Sequence, residues 1–171
     1  MLLKNLIPFI GLVLFFGCKE APKEEVQPPA VETVVTEVAV LESTFQDLEG
    51  NPIELSDFQG KRIFLNYWAT WCRPCIEEMP AIERLQTILE KENYVFLLAS
   101  DQDITKIAKF KAARDFDFNY VKFNGNLADQ QITALPVTII YNELGELMER
   151  FDGGEVWDAP EMIQKLTALH E

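Results

Sequence analysis

The chain predicts an α/β sandwich built on a mixed central sheet. Apolar strand-like runs alternate with amphipathic helical ones from residue 61 onward. The last two strands are joined by a tight turn and so pair antiparallel, whereas strands separated by helices run parallel. With 171 residues and 48% apolar composition there is material for one core plus tails.

Each element has a local reason. Phe45-Gln46-Asp47-Leu48 and Ile53-Glu54-Leu55 flank Glu49-Gly50-Asn51-Pro52, which reads as a hairpin. Ser56-Asp57-Phe58 predicts a short helical turn, and Lys61 to Trp68 a strand. Ile76, Met79, Ile82, Leu85 and Leu89 recur at steps of three or four, one helix stripe that Pro80 is expected to kink. Tyr94 to Ala99 is a buried strand. Asp103 to Arg114 is a helix capped by Asp103, with Ile104, Ile107 and Ala108 facing inward. Asn119 to Phe123 is a short strand, Asn126 to Ile132 a helix, and Val137 to Tyr141 a strand. Asn142-Glu143-Leu144-Gly145 turns into the strand Glu146 to Phe151, which Gly153 and Gly154 end. Asp158 opens the last helix, with Pro160 accommodated in its first turn.

The first residues have a different character. Lys4, the apolar run Leu6 to Phe16 and then Gly17-Cys18 read as a secretory signal peptide, residues 1–17. The run is shorter than the roughly 20 apolar residues needed to cross a bilayer. Gly17 before Cys18 resembles a bacterial lipoprotein signal, which implies lipid on Cys18; a plain signal peptide with an incidental cysteine is the alternative. Residues 18–42 form a tether, with Pro22, Pro28, Pro29 and several glutamates but no aromatic residue. At about 3.1 Å per residue it reaches on the order of 75 Å. The folded domain is expected at 43–171. The net charge of −13 argues against a nucleic-acid partner.

Trp71-Cys72-Arg73-Pro74-Cys75 carries the chemistry. Two thiols so spaced, between a strand and a helix, close a short disulfide that opens readily. A structural staple is the bland alternative, but a four-residue loop stabilises by only roughly 2 kcal/mol, against nearly 5 for a loop of about 100. A zinc half-site lacks ligands, because the one histidine is His170 at the far terminus. The amides at a helix N-terminus favour a thiolate at Cys72, and Arg73 adds a nearby cation. Cys72 is therefore the expected nucleophile and the more exposed sulfur, and Cys75 the resolving one.

Asn66-Tyr67-Trp68-Ala69-Thr70-Trp71-Cys72-Arg73-Pro74-Cys75, followed by Glu78 and Pro80, resembles the TlpA/ResA group of extracytoplasmic thioredoxin-like proteins. Ala134-Leu135-Pro136-Val137-Thr138 is similar to that group's cis-proline loop, with Ala134 and Val137 in place of the common Gly and Thr. The resemblance runs from about Thr44 to the C-terminus. It implies a thioredoxin-like fold with an N-terminal β-hairpin and a helix–strand insertion. It also implies that Pro136 is cis and lies against the disulfide, and that Leu135 pairs with an extended partner segment. Glu78 is implied to influence thiol acidity and proton transfer, with a solvated helix glutamate as the alternative. Asn66 stands where ordinary thioredoxins carry a buried aspartate. An amide cannot relay a proton by ionising, which shifts that task to Glu78 or water. Trp71 is a candidate contact surface and Trp68 a core residue. Arg73, Pro74 and Asn66 are expected to modulate the site.

The resulting expectation is an envelope thiol–disulfide oxidoreductase without metal or cofactor, anchored through Cys18. It acts on cysteine pairs of other proteins and is recharged by a membrane thiol donor. The resemblance favours a reductase, including a part in cytochrome c maturation. An oxidase or isomerase of secreted proteins is the alternative within the class, and a non-catalytic peptide-binding module the alternative outside it. A peroxidase of this fold needs Thr or Ser three residues before the reactive cysteine, where this chain has Ala69.

Overall fold

A computed structural model describes residues 45–169, all within one compact unit, Val40–Glu171. The expected signal peptide, Cys18, the tether, the start of the domain at 43 and His170 lie outside the described residues.

The elements are β1 (Phe45–Gln46), β2 (Pro52–Ile53), β3 (Arg62–Tyr67), α1 (Arg73–Leu89), β4 (Tyr94–Ser100), α2 (Ile104–Ala112), β5 (Asn119–Phe123), β6 (Val137–Tyr141), β7 (Leu147–Asp152) and α3 (Pro160–Ala168). A 3-10 turn at Leu55–Phe58 joins β2 to β3. One sheet of seven strands runs in the order β2-β1-β5-β4-β3-β6-β7. β3, β4 and β5 are parallel, and β6, β7, β1 and β2 are added antiparallel. This is the expected thioredoxin-like α/β fold, with the hairpin β1–β2 in front and the pair α2–β5 inserted between β4 and β6.

β3 lies inside the sheet between β4 and β6, and all six of its residues are buried. Its side chains alternate between faces. Ile63, Leu65 and Tyr67 join one core cluster with Leu97, Ala99, Val121 and Ile139. Phe64 and Trp68 join the other, with Met79, Ile82, Leu85 and Leu89 of α1, Ile107 of α2 and Leu166 of α3. Asn66 falls, by the same alternation, on the face that α1 covers. The opposite face is closed by Leu55, Phe58, Leu127 and Ile132.

Four local expectations need correction. Asn126 to Ile132 is not a helix. Asp129, Gln130 and Gln131 each donate to the carbonyl three residues back, and Gln131 then turns left-handed at φ +56°. Seven residues are too few to propagate a helix without tertiary support. Asp103 stands at the N-cap of α2 without a side-chain capping bond; its carbonyl accepts from the Lys106 and Ile107 amides instead. The last helix begins at Pro160, not Asp158, whose carboxylate pairs with Arg84 at 2.7 Å. In α1 the buried stripe runs through Cys75, Glu78, Met79, Ile82, Leu85 and Leu89, while Ile76 is half-buried. The helix continues through Pro80, which lies on its exposed face.

Leu85→Ala on the fully buried side of α1 is expected to lower stability by about 2–5 kcal/mol, read from urea unfolding of the oxidised protein.

Candidate active site

β3 delivers the chain to the site, and three hydrogen bonds fix the loop that follows. Trp68 N–H donates to the Ala99 carbonyl at 2.9 Å, Thr70 N–H to Gln102 Oε1 at 2.7 Å, and Cys72 N–H to the Ala69 carbonyl at 3.0 Å. Cys72 then serves as N-cap of α1, with Pro74 in the first turn, where a missing N–H costs nothing. The Cys72 sulfur accepts from the Cys75 amide at 3.3 Å. Cys72 and Cys75 are joined by a disulfide, their Cα atoms 5.3 Å apart.

In this oxidised state both sulfur residues are buried, at 3% exposure for Cys72 and 1% for Cys75. The expected order of exposure is present, by a margin too small to carry an argument. Trp71 stands beside them at 71% exposure, whereas Trp68 is buried against Phe110 and Tyr120. Arg73 is exposed, and its guanidinium pairs with Glu77 at 2.7 Å in solvent. Its charge is partly offset there, so the helix terminus remains the main source of positive potential at Cys72.

Glu77 and Glu78 are neighbours with opposite fates. Glu77 is exposed, while Glu78 is buried one turn beyond Cys75 on the same face of α1. Asn66 Nδ2 donates to Glu78 Oε1 at 2.9 Å and also to Thr138 Oγ1 at 2.9 Å. Trp157 Nε1–H donates to Glu78 Oε2 at 2.9 Å, and the Glu155 amide donates to the same oxygen at 3.3 Å. Burial raises the Glu78 carboxyl above its ordinary value of 4.5; the bonds from Trp157, Asn66 and Glu155 pull the other way, and the Glu155 charge adds to the rise. Asn66 is thus an amide with a specific acceptor, and Glu78 is not a solvated surface acid.

The Leu135–Pro136 peptide is cis. Pro136 is buried, and Leu135 packs against both core clusters, one of which contains the two cysteines. Its neighbourhood is held from β7. Gly153, at φ +108°, donates its N–H to the Pro136 carbonyl at 2.9 Å. Arg150 donates to the carbonyls of Gln130 and Gln131, each at 3.0 Å, and pairs with Asp152.

Sequence reasoning missed Trp157, Thr138, Gln102 and Arg150. A buried indole needs an acceptor, but 79 residues separate Trp157 from Glu78 and no spacing rule links them. Among the described residues no cluster of three or more His, Cys, Asp or Glu is placed to hold a metal. Nor is any helix there long and apolar enough to cross a membrane.

A dithiol closed over one helical turn, a cis proline leading into the strand beside it and this sheet order define a thioredoxin-like thiol–disulfide oxidoreductase. The chain belongs to the AhpC/TSA family, whose model matches residues 36–156. The thiol-disulfide oxidoreductase ResA of Bacillus cereus is 33% identical over 158 residues, covering 90% of this chain and 84% of the relative. Two solved structures share the fold. DsbF of Mycobacterium tuberculosis superposes with a TM-score of 0.64 at 21% identity, over 77% of this chain and 97% of that one. A thiol:disulfide interchange protein from a Bacteroides species gives 0.63 at 21%, over 73% and 85%. The chain is a thiol–disulfide oxidoreductase of the ResA type.

The folded protein holds the Glu78 proton more tightly than the unfolded chain. Glu78 therefore contributes stability that is complete below pH 4.5 and is lost as pH rises through its folded midpoint. Urea midpoints of the oxidised protein measured from pH 4 to 8 are expected to fall across that window relative to those of Glu78→Gln, which lacks the ionisation.

Proposed function

We propose that this protein is an envelope-facing reductase of protein disulfides, held at a membrane by lipid on Cys18 and working from the end of the 18–42 tether. The observation that carries the chemical part is the Cys72 sulfur at the N-cap of α1, accepting an amide, with Cys75 one turn away and a buried carboxyl behind it. The sequence resemblance to the extracytoplasmic TlpA/ResA group favours the reducing direction and a location outside the cytosol. Oxidised cysteines persist in such compartments, so disulfide substrates exist there.

The reaction balances as two exchanges. In the reduced protein the Cys72 thiolate attacks one sulfur of a partner disulfide, forming a mixed disulfide and releasing one partner thiolate. Cys75 gives its proton to Glu78, attacks the Cys72 sulfur and expels the second partner thiolate. The partner gains two electrons, and the protein is left with the Cys72–Cys75 disulfide seen in the structure. A membrane dithiol donor restores the reduced form. Leu135 and Pro136 present backbone to the bound segment, Trp71 supplies the apolar contact beside it, and Pro74 shapes the first turn of α1. Cysteine pairs of apocytochrome c are substrates of suitable chemistry, since haem attachment needs them reduced.

Cys72→Ser is expected to abolish reduction of a test disulfide such as insulin. Cys75→Ser is expected to accumulate a mixed disulfide through Cys72, recovered from cells by non-reducing electrophoresis and identified by mass spectrometry. The equilibrium potential is expected nearer about −270 mV, the value for thioredoxin, than about −120 mV, the value for the oxidant DsbA. A potential close to the latter would replace reductase by oxidase.

A further inference from the structure

Trp157 lies 79 residues beyond the carboxylate it touches and is fully buried. Its ring is wedged edge-on between Phe64 at 4.9 Å and Phe151 at 5.2 Å, which fixes the direction of its one N–H. That N–H ends on Glu78 Oε2. Burial alone does not force such a bond in this protein: Trp68 is equally buried and its Nε1 has no protein partner.

We propose that Trp157 is a positioning residue for the exchange reaction, its indole N–H holding the Glu78 carboxyl in the orientation that receives the Cys75 proton. This rests on the reading of Glu78 given above. Asn66 takes Oε1, while Trp157 and the Glu155 amide share Oε2, so the group cannot rotate without breaking a bond. The segment from Gly153 to Trp157 is shaped to approach it. A Cβ on Gly154 would sit 3.5 Å from Glu78 Oε2, and the preceding Gly153 bonds the Pro136 carbonyl. One short segment thus touches both the proline on the substrate side and the carboxyl on the proton side. Trp157 also favours the ionised carboxylate, against the desolvation that favours the neutral acid.

The other charged or titratable groups facing Glu78 are few. Glu155 lies on the same segment and raises the carboxyl's midpoint. Cys72 stands at the N-cap of α1 and Cys75 in its first turn. β3 and β6 contribute the neutral Asn66 and Thr138. Arg73 and Glu77 are paired with each other in solvent.

Two variants test the proposal. Trp157→Phe keeps an aromatic ring between Phe64 and Phe151. Benzothienylalanine placed at 157 keeps the bicyclic shape and loses only the N–H, which covers failure of the first variant to fold. The Glu78 carboxyl is titrated by 13C NMR in the reduced protein, and the resolving step is followed against pH as release of a thiol from a preformed Cys72 mixed disulfide. The expected result is a higher Glu78 midpoint in both variants and a displaced pH profile, with the rate at pH 6 changed roughly threefold or more. An unchanged midpoint in either folded variant, alongside a Glu78→Gln protein whose profile does change, overturns the role of Trp157 and leaves that of Glu78 intact. An unchanged profile in Glu78→Gln overturns the proton role of Glu78, and the positioning role of Trp157 falls with it.

Discussion

The sulfur of Cys72 sits where a helix has amides left over. An α-helix opens with four N–H groups that have no partner within it, and their summed dipoles place roughly half a positive charge at that end. In most helices a serine or aspartate oxygen caps those groups; here a sulfur does, accepting from the Cys75 amide. The same backbone that ends the loop after β3 therefore also favours a thiolate at Cys72, the nucleophile proposed above. The solvent-exposed Arg73–Glu77 pair adds little to this.

Around that terminus, β3 arranges both apolar support and a polar line through the core. Phe64 and Trp68, two residues before and after Asn66 on the same face of the chain, place it under α1, and Asn66 spends its amide hydrogens on Glu78 and Thr138. A carboxyl without partners would cost several kcal/mol to bury ionised, and would then stay protonated. Three donors from two parts of the chain, Asn66 on β3 and the Glu155–Trp157 stretch, favour its ionised form against that cost. The stretch that leaves β7 links the proposed substrate contact to the proposed proton acceptor, since Gly153 holds Pro136 and Glu155 and Trp157 hold Glu78.

Much of this could be read from the chain because the signals are local. The dithiol, its strand and its helix form one continuous stretch, and the period of Met79, Ile82, Leu85 and Leu89 identifies the buried side of α1. Pro136 came from resemblance, as no local rule distinguishes a cis from a trans proline there. What stayed hidden is long-range. The helix period puts Glu78 rather than Glu77 on the buried side of α1, but no spacing links it to its partner Trp157, 79 residues away. The misread segments, Asn126 to Ile132 and the start of α3, are short, and in short elements packing outweighs intrinsic helix preference.

Thiol-specific alkylation of the fully reduced protein, mapped to each cysteine by mass spectrometry between pH 4 and 10, tests the central claim most directly. Cys72 is expected to react first, with a midpoint below the ordinary thiol value of about 8.5, and Cys75 to follow at higher pH. Cys75 titrating at lower pH than Cys72 would mean that the helix terminus does not select the nucleophile, and would contradict it.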